Sequence, residues 1–184
     1  KGPWVAAFDA DGTLWDTDMG ELFFDYQIKN CGLNLPADPW SHYHELKKVD
    51  HRKAYLWLAQ INKDRSLQQV RAWAEEAYLA EDPQPIFEFQ KNLISFLLEN
   101  GFLVYIVTAS VKWAVEPAAR RLGLAEEQVL GVKTAVKDDL ISLEQDGPIT
   151  WREGKAEALL AATKGVRPLF CAGNTTGDTA LLES

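Results

Sequence analysis

Three short, unbroken apolar runs punctuate the chain, and each stops abruptly at small or polar residues. Trp4-Val5-Ala6-Ala7-Phe8 ends at Asp9, and Phe102-Leu103-Val104-Tyr105-Ile106-Val107 ends at Thr108. Pro168-Leu169-Phe170-Cys171-Ala172 ends at Gly173. Continuous runs of this length predict strands buried on both faces, as in a parallel sheet. Between them the apolar spacing lengthens to a helical period. Ile86, Phe89, Leu93, Phe96 and Leu97 mark one face of a predicted helix over residues 86–100, stopped by Gly101. Residues 111–122, stopped by Gly123, and residues 151–163 read as two further helices. Strand and helix alternating in this way predict an α/β fold with right-handed crossovers.

About 90 residues separate the first two predicted strands, far more than a crossover requires. Their pattern is helical over residues 21–30, 40–61 and 67–80, with loops over 33–39 and 63–66, and Pro83 and Pro85 mark the return. The expected organisation is a helical cap, residues 17–82, inserted into an α/β core made of residues 1–16 and 83–184. Residues 129–144 alternate around Asp138-Asp139, which predicts a β-hairpin.

With 184 residues the chain can bury a full core, and an apolar share of 47% with a charged share of 25% is ordinary for a soluble globular protein. The net charge of −8 disfavours a polyanionic partner such as nucleic acid. No apolar run approaches the roughly 20 residues of a membrane span. There is no leader-type segment, so a cytoplasmic location is the default expectation. The chain opens at Lys1, which leaves a periplasmic or secreted protein with a removed signal open. Cys31 and Cys171 are expected as buried free thiols. Oligomeric state is not legible.

The polar residues at the strand ends carry the chemistry. In a parallel sheet, ligands bind at the carboxyl ends of strands, so the three endings should converge on one crevice. Asp9 is the candidate nucleophile, a carboxylate able to attack phosphorus in line. Two residues on, Asp11 faces the same side of an extended backbone and can protonate the leaving oxygen, then activate water. Gly12 permits a tight loop, and Thr13 can stabilise it. Thr108 and the amides of Ala109 and Ser110 suit the spread charge of a transferring phosphoryl group. Lys155 could pair with both phosphate and Asp9. Mg2+ is implied, because a carboxylate approaches a phosphate dianion closely only across a hard cation. Its expected ligands are Asp9, the main-chain carbonyl of Asp11 and an oxygen from residues 173–178.

Taken in order, Asp9-Ala10-Asp11-Gly12-Thr13, Thr108, Lys155, and Asn174 with Asp178 resemble the four motifs of the haloacid dehalogenase superfamily. The branch they resemble is that of phosphoserine and phosphorylcholine phosphatases. The resemblance covers nearly the whole chain. It implies a Rossmann-like core with a helical cap between motifs I and II, and a Mg2+-dependent phosphomonoesterase acting through an aspartyl-phosphate on a small metabolite. It also lifts Lys155 above an ordinary surface lysine, and assigns Asn174 and Asp178 to the metal. Asn174 departs from the usual acid at its position and offers a neutral amide oxygen. A further strand that such folds carry would lie beyond Ser184, so the sequence reads as a shortened piece.

In the cap, Asp18 and Glu21 resemble the acids that receive a substrate amine in this branch, which favours an amino-alcohol phosphate. They are equally the charged first turn of a helix. Trp15, Trp40, Tyr43, Trp57 and Trp73 could cage a quaternary amine, although such residues more often pack a core. His42, His44 and His51 read as surface helix residues rather than ligands. A phosphotransferase or mutase shares every motif, and a catalytically weak phosphate-binding protein is the reading that Asn174 leaves open. A phosphorylated signalling receiver uses similar residues, but the long insertion argues against it.

Overall fold

The computed structural model describes residues 3–81 and 85–184. Four parallel strands form the sheet in the order β3-β2-β1-β6. They are β1 (Trp4–Phe8), β2 (Phe102–Val111), β3 (Val129–Val132) and β6 (Phe170–Ala172), and a separate antiparallel hairpin joins β4 (Thr134–Lys137) to β5 (Leu140–Gln145). The alternation of strand side chains divides the core. Ala6, Phe8, Val104 and Ile106 face Ile94 and Leu97 of α5 (Glu88–Glu99) and Val115, Ala118 and Ala119 of α6 (Lys112–Arg121). Val5, Ala7 and Val107 face the other way, onto Leu159 of α7 (Glu153–Ala162) and Leu181 of α8 (Thr179–Leu182). This three-layer α/β arrangement is the one expected.

Four described helices lie between β1 and α5: α1 (Met19–Asn30), α2 (Pro39–Val49), α3 (His51–Gln60) and α4 (Leu67–Leu79). The long helix expected over residues 40–61 is two helices. Asp50 leaves helical geometry at φ −162 and turns its carboxylate onto the amide of Arg52, capping α3. The inserted helices bury Phe23, Phe24, Tyr43, Leu58 and Ala74 in one cluster with Val111, Trp113, Val132 and Ile149 of the surrounding fold. Arg71 on α4 also makes a two-point ion pair with Glu116 on α6, at 2.8 and 3.1 Å, and Glu116 is 1% exposed. The insertion is thus fastened along α4. Pro83 and the expected boundary at residues 82 and 83 lie outside the described residues.

Two further expectations are corrected. The segment over residues 129–144 is not one hairpin. Val129–Val132 pairs in parallel with β2, and only the part after it folds back, around Asp138 and Asp139 at φ 50 and 64. The second strand also runs on through Thr108, Ala109 and Ser110 to Val111, past the end of the apolar run at Val107. Cys31 is buried as expected, whereas Cys171 is half-buried, and both are free thiols. Among the described residues no helix is long and apolar enough to cross a membrane.

Candidate active site

Register brings the functional segments together. Phe8 pairs with Ile106 on one side and with Ala172 on the other, so Asp9 and Gly173 emerge at one level and Thr108 one residue further along, from three adjacent strands. The amide of Asp9 donates to the carbonyl of Ala172 at 2.8 Å, extending that alignment by one residue. Beyond Val107, β2 bulges. Val107 pairs with Leu130 and Val111 with Val132, so β2 spends twice as many residues as β3 over the same span. A bulge re-aims side chains. Here both hydroxyls turn toward one carboxylate: Ser110 Oγ donates to Asp11 Oδ2 at 2.6 Å, and Thr108 Oγ1 lies 3.5 Å from the same oxygen. Thr150, from the segment before α7, holds the bulge by donating to the Thr108 carbonyl at 2.5 Å.

Lys155 stands in the first turn of α7, whose approach is sharply turned. Gly154 is required there, since a β-carbon would sit 1.9 Å from the carbonyl oxygen of Ile149. From this position the Lys155 ammonium donates to Asp9 Oδ1 at 2.5 Å and to Asp178 Oδ1 at 2.6 Å. The lysine is 3% exposed, Asp9 7% and Asp178 1%. A charge buried this deeply persists only when paired. Burial pushes the Asp9 carboxyl above its ordinary value, against the pull of Lys155, and the negative charge of Asp178 adds to the rise. Burial acts on Asp178 in the same sense, but Lys155 and the donors of Thr175 outweigh it and hold that carboxyl below its ordinary range. Its second oxygen accepts the amides of Asn174 and Thr175 and the Thr175 hydroxyl, at 3.2, 3.0 and 3.1 Å.

Asp11 is gripped by Trp15 Nε1 at 2.8 Å, the amide of Met19 at 2.9 Å and Ser110. Burial, reinforced by the neighbouring charge of Asp18, raises its carboxyl to about 7 in spite of these donors. Burial thus raises both carboxyls, and their partners distinguish them: Asp9 faces the Lys155 ammonium, whereas Asp11 faces neutral donors and the charge of Asp18.

One cavity of about 160 Å³ is walled by Asp9, Asp11, Thr108, Ala109, Ser110, Lys155, Asn174 and Asp178 at one end. Asp18, Tyr43, Tyr55 and Trp151 line it as well. Of the expected residues, Gly12, Thr13 and Glu21 are not in its wall. Gly12 lies behind it against the Asn174 carboxamide, and Glu21 is turned away to pair with Lys47 at 3.0 Å. Asp18 caps α1, its Oδ1 accepting the amide of Glu21 at 2.9 Å, and the residue also lines the cavity. Among the five aromatic cap candidates Tyr43 alone lines the cavity. Trp15 is fully buried on Asp11, Trp40 and Trp57 pack around Phe24, and Trp73 joins the same cluster. Tyr55, Trp151, Thr150 and Thr175 were not read as site residues from the sequence. Proximity to Lys155 was the available signal for Trp151. His51 stacks on Trp151, with centroids 5.1 Å apart and planes 3° from parallel, which joins α3 to the loop before α7.

The oxygens expected to hold a metal are hard: the Asp9 carboxylate, which here accepts from Lys155 through Oδ1 and from Thr13 through Oδ2 at 3.1 Å, the Asp11 main-chain carbonyl and the Asn174 carboxamide. That chemistry suits Mg2+. Among the described residues no three His, Cys, Asp or Glu side chains form a metal-binding group, and both oxygens of Asp178 are already engaged.

Residues 6–183 match the family model described as haloacid dehalogenase-like hydrolase. The chain belongs to that family. Phosphorylcholine phosphatase of Pseudomonas aeruginosa is 25% identical over 236 residues, covering 92% of this chain and 68% of that protein. A protein of unknown function from Bordetella pertussis Tohama I shares its fold at a TM-score of 0.81 and 20% identity, covering 100% of this chain and 87% of that one. A substrate-bound phosphoserine phosphatase matches at a TM-score of 0.62 and 17% identity, over 98% and 82% of the two chains. This haloacid dehalogenase-like hydrolase therefore shares its fold with a phosphoserine phosphatase at low sequence identity.

Proposed function

We propose that this enzyme is a phosphomonoesterase that passes the phosphoryl group through Asp9. The observation that carries the reading is the buried ammonium of Lys155 joining Asp9, at the end of β1, to Asp178, in the turn that follows the adjacent β6. In the first step an Asp9 oxygen forms a bond to phosphorus while the ester oxygen leaves. That oxygen takes the proton of Asp11, whose raised pKa keeps it available. In the second step water attacks phosphorus, Asp11 takes back a proton, and inorganic phosphate leaves with the Asp9 carboxylate restored. Thr108, Ser110 and Lys155 line the same cavity and would hold the equatorial oxygens through both steps. Mg2+, held by Asp9, the Asp11 carbonyl and Asn174 with Asp178 behind them, would screen the repulsion between carboxylate and phosphate dianion.

The substrate we infer is a small amino-alcohol phosphate, of the phosphoserine, phosphocholine or phosphoethanolamine kind. Asp18 offers a carboxylate to an amine, and Tyr43, Tyr55 and Trp151 add aromatic surface to the same cavity. A cavity of about 160 Å³ suits a compact metabolite. Hydrolysis of p-nitrophenyl phosphate in the presence of Mg2+, lost in Asp9→Asn, tests the catalytic reading. A panel of phosphorylated metabolites tests the substrate class, and preference for sugar phosphates or nucleotides would reject it.

A further inference from the structure

Lys47 on α2 sets its ammonium 3.0 Å from Glu21 Oε1, 4.7 Å from the centre of the Tyr43 ring and 5.7 Å from that of Tyr55. A carboxylate and two aromatic rings around a charged nitrogen are what a cation receptor is made of. Tyr43 and Tyr55 also line the cavity that contains Asp9, together with Asp18, which stands one turn before Glu21 on α1. The same two rings thus serve an internal ammonium and the space in which a substrate amine would sit. The Lys47 side chain is 27% exposed, so its flexible stem can carry the charge into water. Two ammonium groups sharing these rings repel one another, and each weakens the hold of the rings on the other.

We propose that Lys47 is a specificity-determining residue: its ammonium occupies the Tyr43–Tyr55–Glu21 cation site from within the chain and competes with the cationic group of an incoming substrate. This rests on the amine-bearing substrate proposed above. A neutral ligand gains nothing by evicting Lys47, whereas a weakly hydrated quaternary ammonium in the cavity gains the undivided hold of both rings. Lys47 therefore sets a threshold that a ligand cation must exceed.

Calorimetric binding of tetramethylammonium tests the proposal without any turnover, with tert-butanol as the neutral isostere. In Lys47→Met the dissociation constant for tetramethylammonium should fall on the order of tenfold. Lys47→Arg, which keeps the charge, should bind no tighter than the parent, and tert-butanol should change with neither. Lys47→Gln keeps a polar head at this partly exposed position and should repeat the Met result if Met disturbs α2. Tetramethylammonium binding that fails to tighten in both neutral variants overturns the proposal, and so does an equal gain for tert-butanol, which would mean that room and not charge was released. The catalytic reading is judged separately by p-nitrophenyl phosphate hydrolysis in the parent. An inactive parent whose Lys47→Met variant gains tetramethylammonium affinity rejects catalysis and upholds the cation site; an active parent with unchanged affinities does the reverse.

Discussion

The Asn174 carboxamide lies so close to Gly12 that a β-carbon at residue 12 would stand 2.1 Å from Nδ2. Gly12 also sits at φ +75, where a side chain is strained regardless of space. The loop after β1 and the loop after β6 are thereby fitted to each other, and any side chain at residue 12 would push Asn174 off its position. Gly12→Ala should cost about 1–3 kcal/mol in urea denaturation. Displacing the carboxamide by about an ångström should lower kcat/KM by one to two orders of magnitude. A variant with parental activity would show that the fit of these two loops has no bearing on the site.

Lys155 carries the charge balance of two buried acids. Lys155→Met leaves Asp9 and Asp178 facing one another without a cation. Removing one partner from such a buried arrangement costs roughly 3–5 kcal/mol. The loss should appear as a lowered urea midpoint at neutral pH with an unchanged m-value, together with loss of phosphatase activity.

Much of this site is legible in the sequence because it rests on strand ends. Phe8, Val107 and Ala172 each close an apolar run, and the residue after each is brought to the crevice by parallel register alone. What was not legible depends on which way a side chain turns. Helical periodicity places Tyr43, Trp57 and Tyr55 equally well on a core face, and only the packing of α2 and α3 sends Tyr43 and Tyr55 to the cavity and Trp57 to Phe24. The bulge that turns Thr108 and Ser110 onto Asp11 is a mismatch between two strands, which no single segment displays. β3 was missed because its four residues run into an alternating hairpin and borrow its pattern. Glu21 was expected at the substrate, but Lys47, 26 residues away, takes its charge.

Asp11 makes the stability depend on pH in a defined direction. Its carboxyl is raised to about 7 by burial first and the charge of Asp18 second. A carboxyl with a folded value above its unfolded value of about 4 binds more protons in the folded state between those limits. Its contribution is therefore fully present below about pH 4 and is lost as the pH rises toward 7. In metal-free buffer the difference in unfolding free energy between Asp11→Asn and the parent should shift in favour of the variant across this interval. The carboxamide resembles the protonated acid, so the variant lacks this loss. A difference that stays flat from pH 4 to 7 would contradict the raised value.

The covalent state of Asp9 during turnover tests the account most directly. Protein mixed with an excess of p-nitrophenyl phosphate and Mg2+, quenched in acid within one turnover and digested, should yield one phosphorylated peptide by mass spectrometry, with the modification on Asp9. Asp9→Asn should yield none. Phosphate released by the parent with no adduct on any residue, or an adduct on a different side chain, would contradict the account.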